Sequence, residues 1–165
     1  MAIAGAWVAP AHAADSSASA NAVLLRPNTL VNVADLEFGQ IISGATGGTV
    51  TISALTGAAT SAGGVTAAGG PSGRAVFQGT GANFLMIVTG SNSATLARAG
   101  GGAPAMTAVL TRARQNGASA VALPASAIIF GSGFQTFYVG GTLTVPAGQP
   151  DGDYSGTFTV TVNYL

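Results

Sequence analysis

The segment Tyr154-Ser-Gly-Thr-Phe-Thr-Val-Thr-Val-Asn-Tyr-Leu165 puts Phe158, Val160, Val162 and Tyr164 on one side of an extended chain and Thr157, Thr159, Thr161 and Asn163 on the other. A period of two marks a strand with one face on a core and one in water. A helix would scatter the same apolar residues around its axis. No other segment shows a sustained 3.6-residue apolar period with caps, so almost no helix is expected.

Further β-rich runs lie at residues 23–33, 47–53, 74–78, 84–89, 106–112, 137–139 and 141–145, each bounded by Gly, Pro, Asn or Ser. Asp35-Leu36-Glu37-Phe38-Gly39 reads as the close of the first unit. The 25 glycines fit many tight turns. About seven to nine short strands with such connections predict an all-β sandwich. A chain of 165 residues suffices for one such domain and is too short for two. Residues 57–73, almost all Gly, Ala, Ser and Thr, read either as a long flexible loop or as a ragged edge hairpin.

Only 6% of residues are charged, five Lys plus Arg against five Asp plus Glu. Ordinary domains carry about a quarter. Nothing steers this chain toward nucleic acid or anionic lipid, and its surface repels copies of itself weakly. With no Cys there is no disulfide framework, so packing and backbone hydrogen bonds must hold the fold.

Residues 1–13 are apolar up to Ala11-His12-Ala13, a small-x-small pattern that signal peptidase accepts, although a basic n-region is missing. The mature chain is expected to start at Ala14, with no membrane anchor, since this run is shorter than the roughly 20 residues of a spanning helix. Removing it removes the single His, and the chain has no Lys. Hydrolytic triads then lack a base, and zinc, haem and iron–sulfur sites lack ligands, so no enzyme and no cofactor are expected. Asp35 with Glu37 could act as an acid–base pair or hold a cation, but a solvated strand end is the plainer reading. Asp151-Gly152-Asp153 reads as a turn before it reads as a calcium loop. Arg112 and Arg114 read as a solubilising edge before an anion grip. Gly47-Gly48 and Gly63-Gly64 lead into no helix and offer no Lys, so they are not phosphate cradles.

Residues 14–22 alternate small apolar with small polar side chains, placing Ala18, Ala20, Ala22 and then Leu24 on one side of an extended strand with no bulky core of its own. Composition alone allows a disordered tail here.

Three stretches carry a resemblance: Asp35-Leu36-Glu37-Phe38-Gly39-Gln40-Ile41 followed by Gly44, then Gly140-Gly141-Thr-Leu-Thr-Val-Pro-Ala-Gly148, then Gly152-Asp-Tyr154-Ser-Gly156-Thr-Phe-Thr-Val-Thr-Val-Asn-Tyr164. Over residues 31–165 the chain resembles a family of small secreted bacterial domains of unknown function. That family is similar to spore-coat-U-type proteins and to pilins of the chaperone-usher class. In the latter an aromatic residue stands second from the end and a Gly fourteenth from the end, the places that Tyr164 and Gly152 hold here. The Cys pair of many such pilins is missing. The resemblance implies an incomplete immunoglobulin-like sandwich, residues 23–165, completed by a donor strand from a neighbouring copy. Residues 14–22, with Ala18, Ala20, Ala22 and Leu24, would be the donor. Gly152, Tyr154, Phe158, Val160, Val162 and Tyr164 on the C-terminal strand would form the acceptor groove. It further implies a periplasmic chaperone, an outer-membrane usher and a homopolymeric surface fibre of a Gram-negative bacterium.

Two other readings are weighed against it. A small outer-membrane barrel would end on an aromatic residue, not Leu165, and would need longer, less Gly-broken strands. A secreted adhesive or carbohydrate-binding module would need an open aromatic face, for which Tyr138 and Tyr154 are the candidates.

Overall fold

The computed structural model describes residues 29–164, and every regular element among them is a strand. In chain order these are β1 (Thr29–Ala34), β2 (Glu37–Ile52), β3 (Ala59–Gly73), β4 (Ala75–Gly90), β5 (Ser93–Arg98), β6 (Met106–Asn116), β7 (Ser119–Leu123), β8 (Ala127–Val145), β9 (Tyr154–Ser155) and β10 (Val160–Tyr164). Alternation is clearest in β6, where Met106, Ala108 and Leu110 are buried while Thr107, Val109 and Thr111 are exposed. Every pairing is antiparallel.

The spine is β4–β8–β6. β8, 19 residues long, pairs along its first half with β4. Its second half lies between β2 on that same side and β6 on the other. β5 and β7 share the far edge of β6. β1 and β10 share the far edge of β4, β1 against residues 76–80 and β10 against residues 86–90. β3 pairs only with β2, making a hairpin arm that extends past the spine.

The sheets curl over an apolar interior in the manner of a β-sandwich. One cluster holds Val50, Val65, Met106, Leu143 and Val145. A second holds Met86, Val88, Ile129 and Phe137, and Phe77 and Val160 pack against both. Where β2 and β8 pair, their outer positions are polar, Thr51 meeting Thr142 through their hydroxyls at 3.0 Å.

The strands are longer than their sequence suggests. Runs 74–78 and 84–89 are halves of β4, which continues through a bulge between Gly81 and Phe84. Runs 137–139 and 141–145 are the second half of β8. A Cβ at Gly140 would stand 2.2 Å from the Ile52 carbonyl oxygen, so this glycine marks a close approach of β2 and not the end of a strand. The Asp35 to Gly39 motif opens β2 and does not close β1. Gly39, at φ +80°, stands where the β2–β3 register shifts between Phe38 and Gln40, opposite the bulge that β3 makes with Gly70 and Pro71. Residues 59–73 form β3, a paired hairpin strand and not a loop. The C-terminal segment is not one strand: β9 lies on the edge of β5, and residues 156–159 carry the chain across to β4, where β10 begins. The expected leader and donor segments, with Ala18, Ala20, Ala22 and Leu24, lie outside the described residues.

Candidate functional site

The two halves of β2 have different neighbours. Residues 48–52 sit between β3 and β8. Residues 37–42 pair with β3 alone, so among the described residues their other edge carries no strand. That edge borders a cleft of about 650 Å³ between the hairpin arm and the β8–β6–β5 sheet. Its floor is apolar, with Phe38 and Ile41 from β2, Leu96 from β5, Met106 from β6 and Leu143 and Val145 from β8, and its rim is polar, with Glu37, Gln40, Asp151 and Asp153. A row of unpaired backbone groups over such a floor is what an added strand needs, hydrogen bonds along one side and pockets beneath.

One end of the cleft is a polar wall. Ser43 donates its hydroxyl to the Pro146 carbonyl at 3.0 Å and accepts the Gln149 amide at 3.1 Å. The Gln149 side-chain amide donates to the Pro104 carbonyl at 2.6 Å and to the Tyr154 hydroxyl at 3.0 Å. Tyr154 in turn donates to the Pro150 carbonyl at 2.8 Å. Gln149 Oε1 is buried and accepts no hydrogen bond. A buried acceptor left unmade costs about 1–3 kcal/mol, which a donor arriving in the cleft would recover.

The sequence-derived acceptor residues divide. Gly152 and Tyr154 line the cleft. Phe158, Val160 and Val162 instead pack into the core, Phe158 meeting Phe77 edge to face with ring centroids 6.0 Å apart. Tyr164 pairs with Met86 through β10.

The remaining chemistry candidates have structural roles. Asp35 accepts a hydrogen bond from the Asn32 side chain at 2.5 Å, across the β1–β2 turn. Glu37 is exposed on the cleft rim. The turn at Asp151-Gly152-Asp153 is tied by its backbone: Arg98 donates to the Asp151 carbonyl at 2.7 Å, and the Ala99 amide to that of Asp153 at 2.8 Å. No cluster of three or more His, Cys, Asp or Glu fit to hold a metal occurs among the described residues. Arg112 is neither an anion grip nor a solubilising edge. It points inward and is buried, donating to the carbonyls of Gly90, Ser91 and Ala125 and to Asn92 Oδ1. Burial pushes its guanidinium below the usual arginine range. Neither tyrosine proposed for an aromatic platform is open: the Arg74 guanidinium covers the Tyr138 ring at 3.5 Å, and Tyr154 is held in the polar wall.

Residues 29–164 match a family described as a domain of unknown function, DUF4402. The chain belongs to the DUF4402 family. The cleft and its polar wall lie wholly within this DUF4402 domain, so the family boundaries enclose both the open edge of β2 and Tyr154. No curated protein and no solved structure matches the chain.

Proposed function

We propose that this DUF4402 domain is a secreted, non-enzymatic structural subunit whose cleft accepts an extended segment from a second copy, so that copies join into a surface fibre. The observation that carries the reading is the unpaired edge of β2 over an apolar floor. In the pilin-like scheme the immunoglobulin-like sandwich is one strand short, and the donor is the alternating segment at 14–22. Ala18, Ala20 and Ala22 would face the floor and Ser17, Ser19 and Asn21 the solvent. Leu24 would follow at the donor's end. Gly152 and Tyr154 would border the donor, while Phe158 and Val160 support the groove from the core behind it and Val162 packs into the second cluster. Small side chains suit a floor already filled by Leu143 and Val145.

Covering roughly 400 to 500 Å² of apolar surface at each joint contributes on the order of 10 kcal/mol before ordering costs. Until a donor arrives the edge is a hazard, which is the role the scheme gives a periplasmic chaperone before an outer-membrane usher exports the subunit. No helix among the described residues is long and apolar enough to cross a membrane. The polar outer positions where β2 meets β8 do not suit a lipid-facing belt, although β8 also exposes Ile128, Phe130 and Phe134, and strands of 16 and 19 residues remove the length objection to a barrel.

A synthetic peptide of residues 14–25 tests the reading. Added to the full chain, it should slow fibre growth and protect the amides of residues 37–42 from hydrogen exchange. The same peptide carrying Ala20→Asp should do neither, and equal protection by both peptides rejects the cleft as acceptor.

A further inference from the structure

A second edge of the molecule is open, and nothing in the fibre reading uses it. From residue 127 to residue 134, β8 has a strand neighbour on the β4 side only, among the described residues. Its outward row is apolar: Ile128, Phe130 and Phe134 are 65%, 64% and 62% exposed, and Leu85, paired with Phe130, is exposed beside them. Edges are ordinarily guarded by charge, proline, a bulge or short length. Here the stretch Ala-Ile-Ile-Phe-Gly-Ser-Gly-Phe has no charge and no proline, and the local bulge is in β4. The outer edge of β3 is open too, but Pro71 interrupts it and its residues are small, none of them a large exposed apolar side chain. β7 has five residues.

We infer that this edge of β8 pairs antiparallel with the same edge of a second copy, about a two-fold axis at Ser132. The register follows from the row itself. Centring on Ser132 sets Phe130 opposite Phe134 of the second copy, and Phe134 opposite its Phe130. Ile128 then meets Thr136. Any one-residue slip turns the apolar rows to opposite faces, and larger slips lose at least one of the two aromatic pairs. An isologous arrangement closes on itself as a dimer and opposes no like charges, because the segment carries none. Covering three large side chains per copy and the backbone between them removes on the order of 1,000 Å², at the low end of specific interfaces. The pairing is therefore weak and reversible for free subunits. Between subunits already held in two fibres it would be multiplied along their length and bind them side by side. Because β8 is separate from the cleft, the inference stands whether or not the cleft takes a donor.

The chain has no Cys, so a single introduced thiol reports the register. Opposed antiparallel residues have Cα atoms about 4.5–5.5 Å apart, inside the range of a disulfide. Under mild oxidation the full chain carrying Ser132→Cys should form a covalent dimer at least about tenfold faster than one carrying Ala58→Cys on the exposed β2–β3 turn. Phe130→Cys mixed with Phe134→Cys should cross-link, and either alone should not. Phe134→Lys, on an outward side chain that leaves the core intact, should abolish the Ser132→Cys cross-link and leave the unfolding midpoint unchanged. Ser132→Cys no faster than Ala58→Cys overturns the pairing, as does a Ser132→Cys cross-link that survives Phe134→Lys. Cross-linking of Phe130→Cys with itself overturns the register. Ser132→Cys bonding to Ala20→Cys in place of its own copy would assign the edge to the N-terminal segment and overturn the proposal.

Discussion

Arg112 has no carboxylate partner within the described hydrogen-bond network; its guanidinium is spent on carbonyls at the β4–β5 turn and the loop before β8. Five fixed donors suit that geometry, and an ammonium on a flexible stem does not. Arg112→Ala leaves those acceptors unmade and a space behind them, and should cost about 3 kcal/mol in urea unfolding. Arg112→Lys should recover less than half of that loss. Gly140 tests close packing in the same experiment. A Cβ there meets the Ile52 carbonyl oxygen at 2.2 Å and the Ala54 nitrogen at 2.4 Å, both backbone atoms, so Gly140→Ala should cost about 3 kcal/mol. Gly73 has nothing within 4 Å, and Gly73→Ala should stay within about 0.5 kcal/mol of the parent.

Among the elements, the C-terminal segment carries the most divided role. β9 borders the cleft while Phe158 and β10 close the core, so substitutions a few residues apart should report different properties. Phe158→Ala removes the edge-to-face partner of Phe77 and should lower the domain's own stability by about 3 kcal/mol, measured by thermal or urea unfolding of the free subunit. The alternation that put Phe158, Val160 and Val162 on one face was legible in the sequence. Their destination in the core was not, because the crossing from β5 to β4 depends on where distant strands lie. β3 was undecided for a related reason: its residues are too small to signal burial, and backbone pairing with β2 sets its path. The first half of β8 was missed because Gly131 and Gly133 break up the β-rich run in the sequence, while the strand itself continues from Ala127 to Val145. Arg112 could have been found, since it continues the inward row of Met106, Ala108 and Leu110. The cleft could not, since it exists only because the two halves of β2 take different neighbours.

At the scale of the whole molecule, a chain with few charges leaves several strand edges uncovered among its described residues, one of them over an apolar cleft floor and one along an apolar row. Few charges mean little repulsion between copies, which turns open edges into sites of assembly. The central claim is that the cleft beside β2 takes residues 14–22 of another copy with Ala20 facing inward. Fibre yield from full chains carrying Ala20→Asp or Ser19→Asp tests it most directly. A carboxylate forced into the apolar cleft without a partner costs several kcal/mol, whereas one at position 19 remains in water. The expected result is near-complete loss of fibres for Ala20→Asp and near-parental yield for Ser19→Asp, and equal yields from the two variants would contradict a facially specific donor strand.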